Sequence, residues 1–345
     1  MLARGTRVRP GVLLAVPAVM TAEVMAAVLA RMAEAGLDAM VLRPSIDQRY
    51  VTGWQPEGFL VLVPGREPVL AAGPEEAAEL LPAGAARVAV DGEMRARELF
   101  ALRVQADLVL ASAVLGPLRA RKRPSEVAAV GRAAEAADRV LAVARELPWY
   151  GATEEGMARR LTGESGAPGV VAVTVAAGEN TARSCHTSTS RVINPGDAVQ
   201  IHVTARYGGY HAVASRGFVV AEPPEDFDAL HAVLLTARDA ALAAVRPGAT
   251  AADVHTAAWT VLDDSGYGPY TATGTGHGIG LDPRETPRLA PGDGTPLEPG
   301  MTLVVAPGVH VPDLYGARVG DVVECTLSGV RPMNLAAPAL HVLDP

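Results

Sequence analysis

The chain has 345 residues, 49% of them apolar, which is more than one ordinary core needs and fits two. A net charge of −8 and a pI near 5.5 exclude the basic face that nucleic-acid binding requires. Two cysteines, Cys185 and Cys325, exclude a disulfide framework and point to a reducing, cytoplasmic compartment, and no stretch has the continuous apolarity of a membrane span.

The opening stretch, "MLARGTRVRPGVLLAVPAVMTA", has early arginines before an apolar run, as a signal peptide has, but Pro17 interrupts the run. The next stretch, "TAEVMAAVLARMAEAGLDA", reads as an amphipathic helix from a cap at Thr21 to Gly36, so the terminus is expected to belong to the fold. Residues 38–115 alternate short apolar runs such as "GFLVLVPG" and "RVAVD" with the helical "PEEAAELL", the pattern of an α/β layer domain. The basic cluster "RARKR" at 119–123 is expected to cap a helix or line a linker. From Pro124 a long helix opens with Pro and Ser near its start. A second helix is expected over 152–164, strands near 169–177, 198–206 and 210–220, helices near 225–245 and 250–265, and strands near 301–306 and 317–327. "TAAD" at 250–253 has capping-box spacing.

Three stretches stand out. "NPGDAVQIHV" at 194 and "EPGMTLVVAP" at 298 are both Pro-Gly turns feeding an apolar strand late in a helix, helix, strand series. Two such halves facing each other would enclose a cleft, while a coincidence of two common turns is the alternative. "GTGHGIG", residues 274–280, sets His277 among four glycines, which let a backbone pass close to something or adopt φ > 0, as in a glycine-rich turn. On these residues alone His277 is a metal ligand, a proton carrier or a histidine satisfied by backbone carbonyls.

In chain order, "LRARKRPSEV", "CHTSTSRVINPGD", "ARYGGYHAVASRGF", "GTGHGIGLDPRETPRL" and "EPGMTLVVAPGVHVPDLYGARVGDVV" resemble the carboxy-terminal domain of the creatinase, prolidase and aminopeptidase P superfamily, peptidase family M24. "RMAEAGLDAMVLRPSIDQRYVTGW" is similar to that superfamily's first domain. The resemblance implies an α/β (α+β) chain: a small creatinase-like α/β domain over 1–118 and a pita-bread domain, a curved antiparallel sheet backed by helices, over 119–345.

In the metal-dependent members two divalent ions are held by two aspartates, a histidine and two glutamates. The matching positions here are His202, Val213, His277, Ala306 and Gly320, so His277 is kept and no carboxylate remains. Cations held without those anions would be uncompensated in a low dielectric. The likeness to creatinase implies a route without metal: His186 matches its catalytic histidine, Arg284 its substrate-carboxylate arginine, and Arg216 a family arginine on the central strand. Creatinase's two guanidinium-binding glutamates correspond to Ser215 and Ala306, so creatine is not the expected substrate.

The expectation is then a metal-independent enzyme with no cofactor, in which His186, His277 and His202 move protons and Arg284, Arg216, Ser215, Arg318 and His211 bind substrate. The substrate is a small carboxylate- or carbonyl-bearing molecule, with C–N hydrolysis the leading reaction. A lyase or cyclase of specialised-metabolite biosynthesis, a non-catalytic pita-bread binding protein and a mononuclear metal site of His202, His277 and His211 are the alternatives. Nucleic acid and membrane are not expected as partners, and a homodimer is implied by creatinase-like relatives.

Overall fold

The structure, a computed structural model, describes residues 21–54 and 57–343; the signal-peptide question concerns residues outside them. The chain divides into two compact units, one ending at Arg119 and the other beginning at Ala120. Among the described residues no helix is long and apolar enough to cross a membrane.

In the first unit the elements are α1 (Thr21–Glu34), β1 (Ala39–Leu42), α2 (Ile46–Thr52), β2 (Phe59–Leu62), β3 (Val69–Ala71), α3 (Pro74–Leu80), β4 (Arg87–Val90), α4 (Ala96–Ala101), β5 (Asp107–Leu110) and α5 (Ser112–Ala120). They form the expected α/β layers around a sheet of order β3-β2-β1-β4-β5, with β1, β4 and β5 parallel. Every residue of β1 and β2 is buried, which is why these strands read as unbroken apolar runs rather than alternating ones. Gly36, at φ +62°, takes the left-handed conformation that ends α1.

The second unit runs α6 (Pro124–Ala144), α7 (Glu154–Glu164), β6 (Val170–Ala177), β7 (Ala198–Tyr207), β8 (Tyr210–Val220), α8 (Phe227–Ala244), α9 (Ala251–Asp264), β9 (Gly276–Gly278), β10 (Glu285–Leu289), β11 (Thr302–Val305), β12 (Gly308–Val311), β13 (Tyr315–Arg318), β14 (Asp321–Thr326), β15 (Gly329–Pro332) and β16 (His341–Leu343). One sheet has the order β16-β8-β7-β6, a second β10-β9-β11-β14-β15, and β12 and β13 form a hairpin. Val140, Leu141 and Leu161 of α6 and α7 pack on Ile201, Val203 and Phe218 of the first sheet. Leu230, Leu234 and Leu262 of α8 and α9 pack on Leu303, Val305 and Val323 of the second. Each fully buried leucine contributes about 1.5–3 kcal/mol relative to leaving it exposed. The basic cluster is consumed locally: Arg119 reaches Asp47 at 2.7 Å within the first unit, Lys122 pairs with buried Glu285 at 2.9 Å, and Arg123 is the N-cap of α6.

The repeated Pro-Gly turn is a structural repeat. Gly196 and Gly300 sit at φ +88° and +91°, and their N–H groups donate to Val220 and Cys325 carbonyls, each at 2.8 Å. Asp197 N–H bonds Asn194 O, and Met301 N–H bonds Glu298 O, both at 3.1 Å. Counting six residues on from each glycine gives His202 and Ala306; counting five back from Val220 and Cys325 gives Ser215 and Gly320, and seven back gives Val213 and Arg318. These three pairs are corresponding positions of two facing halves. "GTGHGIG" departs from expectation: it is not a turn, since Gly276–Gly278 is the inner strand β9, paired with β10 on one side and β11 on the other. Its glycines are needed because a Cβ at Gly276 would lie 1.8 Å from Val304 O and one at Gly278 2.3 Å from Thr286 O.

Candidate active site

Strand alternation decides which side chains meet. His202 on β7 stands opposite Ser215 on β8, so both point to one face, and His202 Nδ1 lies 2.7 Å from Ser215 Oγ. Ser215 in turn bridges to Gly320, with backbone bonds in both directions at 3.0 and 3.1 Å. A Cβ on Gly320 would be 3.0 Å from Ala306 Cβ, so the second half of the repeat meets the first there. Val213, two residues before Ser215, joins Ala306, Val304, Ile279 and Val322 in an apolar cluster.

Arg216 is adjacent in sequence to Ser215 and therefore points to the opposite face. Its guanidinium bonds Asp321 Oδ1 at 2.5 Å and the carbonyls of Ser215, Gly320, Ala336 and Ala337 at 2.9, 2.8, 2.6 and 3.1 Å. With its donors so committed, Arg216 is not a substrate ligand, which corrects that expectation; it ties the sheet to the carboxy-terminal segment. Asp321 also takes Arg238 Nε at 2.6 Å.

His277 stands opposite Val304 on β11. Its Nδ1 is 2.9 Å from Gly278 O; a carbonyl only accepts, so Nδ1 carries the proton and Nε2 presents a lone pair. Burial pushes the pKa of His202 down to about 4, helped by the positive charges of Arg318, His277 and Arg284, so it is neutral near pH 7. Burial likewise lowers His277, with Arg284 and Arg318 adding to it and Asp282 opposing. Arg318, at the end of β13, is itself lowered by burial, opposed by Cys185 and reinforced by Arg284. Its Nε is buried without a hydrogen-bond partner among the described residues. The charges of Arg318 and the exposed Arg284 thus act on two imidazoles that burial holds toward the neutral form.

His186 is held by Glu154, a residue that nothing in the sequence marks. The N–H at Nε2 of His186 donates to Glu154 Oε2 at 2.8 Å, leaving Nδ1 for a ligand. Glu154 also accepts from Ala177 N and Asn180 Nδ2 on Oε1 and from Thr189 N and Oγ1 on Oε2. Burial raises its pKa, but the bonds from His186, Thr189 and Asn180 outweigh that and keep the carboxyl below its ordinary range. His310 is the other residue not anticipated: Nδ1 lies 3.1 Å from Thr181 O, Nε2 is buried without a partner among the described residues, and the Arg318 charge acts on it. His211 pairs with Arg206, four residues along β7 from His202, which at about 3.4 Å per residue is about 14 Å away. It is therefore not brought to His202.

The residues present do not fit a dinuclear centre. Of the five corresponding positions, Val213 and Ala306 belong to an apolar cluster and Gly320 has no side chain. Among the described residues there is no group of three or more His, Cys, Asp or Glu placed to hold a metal ion, and a zinc or magnesium site needs at least that many donors or carboxylate oxygens. The trio His202, His277 and His211 fails with it.

The model for metallopeptidase family M24 matches residues 128–327. A probable dipeptidase PepE of Mycobacterium tuberculosis is 36% identical over 230 residues, 66% of this chain and 61% of that protein. The Xaa-Pro dipeptidase of Pyrococcus furiosus is 32% identical over 222 residues, 63% of this chain and 64% of that one, so the alignments span about three-fifths of these curated relatives. The crystal structure of dipeptidase PepE from Mycobacterium ulcerans matches with a TM-score of 0.87 at 31% identity, covering 94% of this chain and 98% of that one. These likenesses overturn the expectation of a metal-independent creatinase-type enzyme, with its lyase, cyclase and non-catalytic alternatives: the proteins matched are dipeptidases and Xaa-Pro dipeptidases. The physical reason is one of weight. A fold is specified along the whole chain, whereas four substituted positions out of five change a ligand set without moving the chain toward another family. By its matched family model and its likeness to a solved dipeptidase, the chain belongs to metallopeptidase family M24.

Proposed function

We propose that the protein is a hydrolase of short peptides, taking a dipeptide-type substrate at the face of β7, β8, β9 and β11 that carries His202, Ser215 and His277. The observation that supports this most is the likeness to a solved dipeptidase over 98% of that protein's chain. Amide hydrolysis needs a proton acceptor for water, a donor to the carbonyl oxygen and a proton for the leaving amine. In this reading the lone pair at Nε2 of His277 takes the first role. His202 takes the second: when Ser215 Oγ–H donates to Nδ1 at 2.7 Å, Nε2 carries the outward proton. The third falls to His277 again, which passes on the proton it took from water, while Glu154 fixes the His186 tautomer with Nε2–H on the carboxylate and Nδ1 as an acceptor. The family's name implies metal, the donor set here does not fit one, and no step is assigned to an ion. The same reading places the protein in a reducing compartment, as the two free cysteines favour.

The test is product analysis by mass spectrometry after incubation with a dipeptide panel that includes Xaa-Pro members, run on chelator-treated protein with and without Mn²⁺, Co²⁺ or Zn²⁺. Free amino acids in any arm, abolished by His277→Gln, are the expected result. Absence of cleavage in every arm would overturn the reading.

A further inference from the structure

We infer that the place where relatives in this family carry cations is, in this chain, a receptor for an oxyanion. The inference deepens the peptide-site reading above, on which its location rests, but needs no turnover.

Three independent observations carry it. First, the negative charge of the place is gone. The five positions matching the metal ligands hold His202, Val213, His277, Ala306 and Gly320, with no acid among them. Second, Arg318 is a guanidinium without an anion. Its backbone N–H donates to Gln200 Oε1 at 2.7 Å, but among the described residues its side chain has no hydrogen-bond or ion-pair partner, and its Nε is buried. Leaving a buried charge unpaired is costly, and native proteins supply a counter-ion in such places. Third, the neighbouring acids are already engaged elsewhere. Glu285 takes Lys122 Nζ at 2.9 Å and Asp282 N at 3.1 Å, Asp282 takes Arg284 N at 2.9 Å, and Asp321 lies on the opposite face with Arg216 and Arg238.

The repeat explains how the imbalance arises. Arg318 and Val213 are corresponding positions of the two halves, as are His202 and Ala306. One half thus supplies a cation and the other an imidazole, while the apolar partners Val213 and Ala306 belong to one hydrophobic cluster. A planar fork of N–H donors beside a second arginine, the exposed Arg284, suits the two oxygens of a carboxylate or phosphate. Two sources offer that chemistry: the terminal carboxylate of a bound peptide and free inorganic phosphate.

The test is calorimetric titration of the full-length protein, in low-salt buffer free of phosphate, with three probes: a dipeptide bearing a free terminal carboxylate, its carboxamide, and inorganic phosphate. The expected result is at least tenfold tighter binding of the acid than of the amide, with the difference erased by Arg318→Gln and reduced by Arg284→Gln, whose exposed position keeps the fold out of question. Phosphate binding lost in the same variants, without discrimination between acid and amide, sustains the oxyanion receptor and assigns it to the free ion, while counting against the peptide reading. The inference is overturned if neither acid nor phosphate binds, if both variants bind as the parent does, or if the protein instead takes up Zn²⁺ stoichiometrically through His202.

Discussion

Ser215 and Gly320, at corresponding positions of the two halves, exchange both backbone hydrogen bonds, at 3.0 and 3.1 Å. The halves therefore touch on the axis that relates them, and the room there is set by glycine. A Cβ at Gly320 would meet Ala306 Cβ at 3.0 Å and Ser215 Oγ at 3.2 Å, side-chain atoms that can give slightly. At Gly276 it would meet the Val304 carbonyl oxygen at 1.8 Å, which cannot move without breaking the sheet. Gly320→Ala is expected to cost about 1–3 kcal/mol in urea unfolding. Gly276→Ala should cost more and reduce soluble yield; equal effects would contradict this account of the packing.

Asp321 carries the charges of Arg216 and Arg238 in a buried network. Asp321→Ala leaves Arg216 uncompensated and is expected to destabilise by about 3–5 kcal/mol. Denaturant melts of this variant and of Arg216→Met, which removes the other partner, measure it, and a loss under about 1 kcal/mol would show that the network is dispensable.

Stability should fall as pH drops below neutrality. His202 and His231 have folded pKa values of about 4 against 6.5 for the free side chain, both depressed first by burial. Between those values the unfolded chain binds protons that the folded chain refuses, so their contribution is full above about pH 6.5 and lost as pH falls toward 4. Chemical unfolding across this window should show His231→Leu with a slope shallower by up to about one proton. An unchanged slope would mean that His231 titrates normally.

Glu154 is the hub that holds His186. Its pKa is held low by its hydrogen bonds despite burial, so its contribution is present above the ordinary carboxylate range and lost as pH falls through the folded value. Glu154→Gln leaves several donors imperfectly satisfied and should destabilise by about 1–3 kcal/mol at neutral pH, with weaker acid sensitivity than the parent. It should also displace the His186 ring resonances in the NMR spectrum; unshifted resonances would show that His186 does not depend on Glu154.

Much of the architecture is legible in the sequence. The long helices α6, α8 and α9 have strong periodicity and explicit starts, such as Pro124 and the Thr250 capping box, which the structure contains. The short helices α2, α4 and α5 are not marked by periodicity, because six to nine residues hold too few turns to show it. β9 is hidden for a different reason: close backbone approach demands glycines, and glycines read as a turn. Within the site, the separation of Ser215 from Arg216 is a consequence of strand alternation and is readable from their adjacency. The partnerships of His186 with Glu154 and of His310 with Thr181 span 32 and 129 residues and arise only from the fold. Function is where the sequence misleads, because four altered ligand positions point away from the peptidases while the likeness along 94% of the chain points to them.

The most direct measurement is kcat/KM for one dipeptide as its free acid and as its carboxamide, on the same preparation. A peptide hydrolase with a cationic receptor should cleave the acid at least about tenfold more efficiently, a difference of about 1.4 kcal/mol, and Arg318→Gln should level the two. Cleavage of neither, or of both at equal efficiency, would contradict the account.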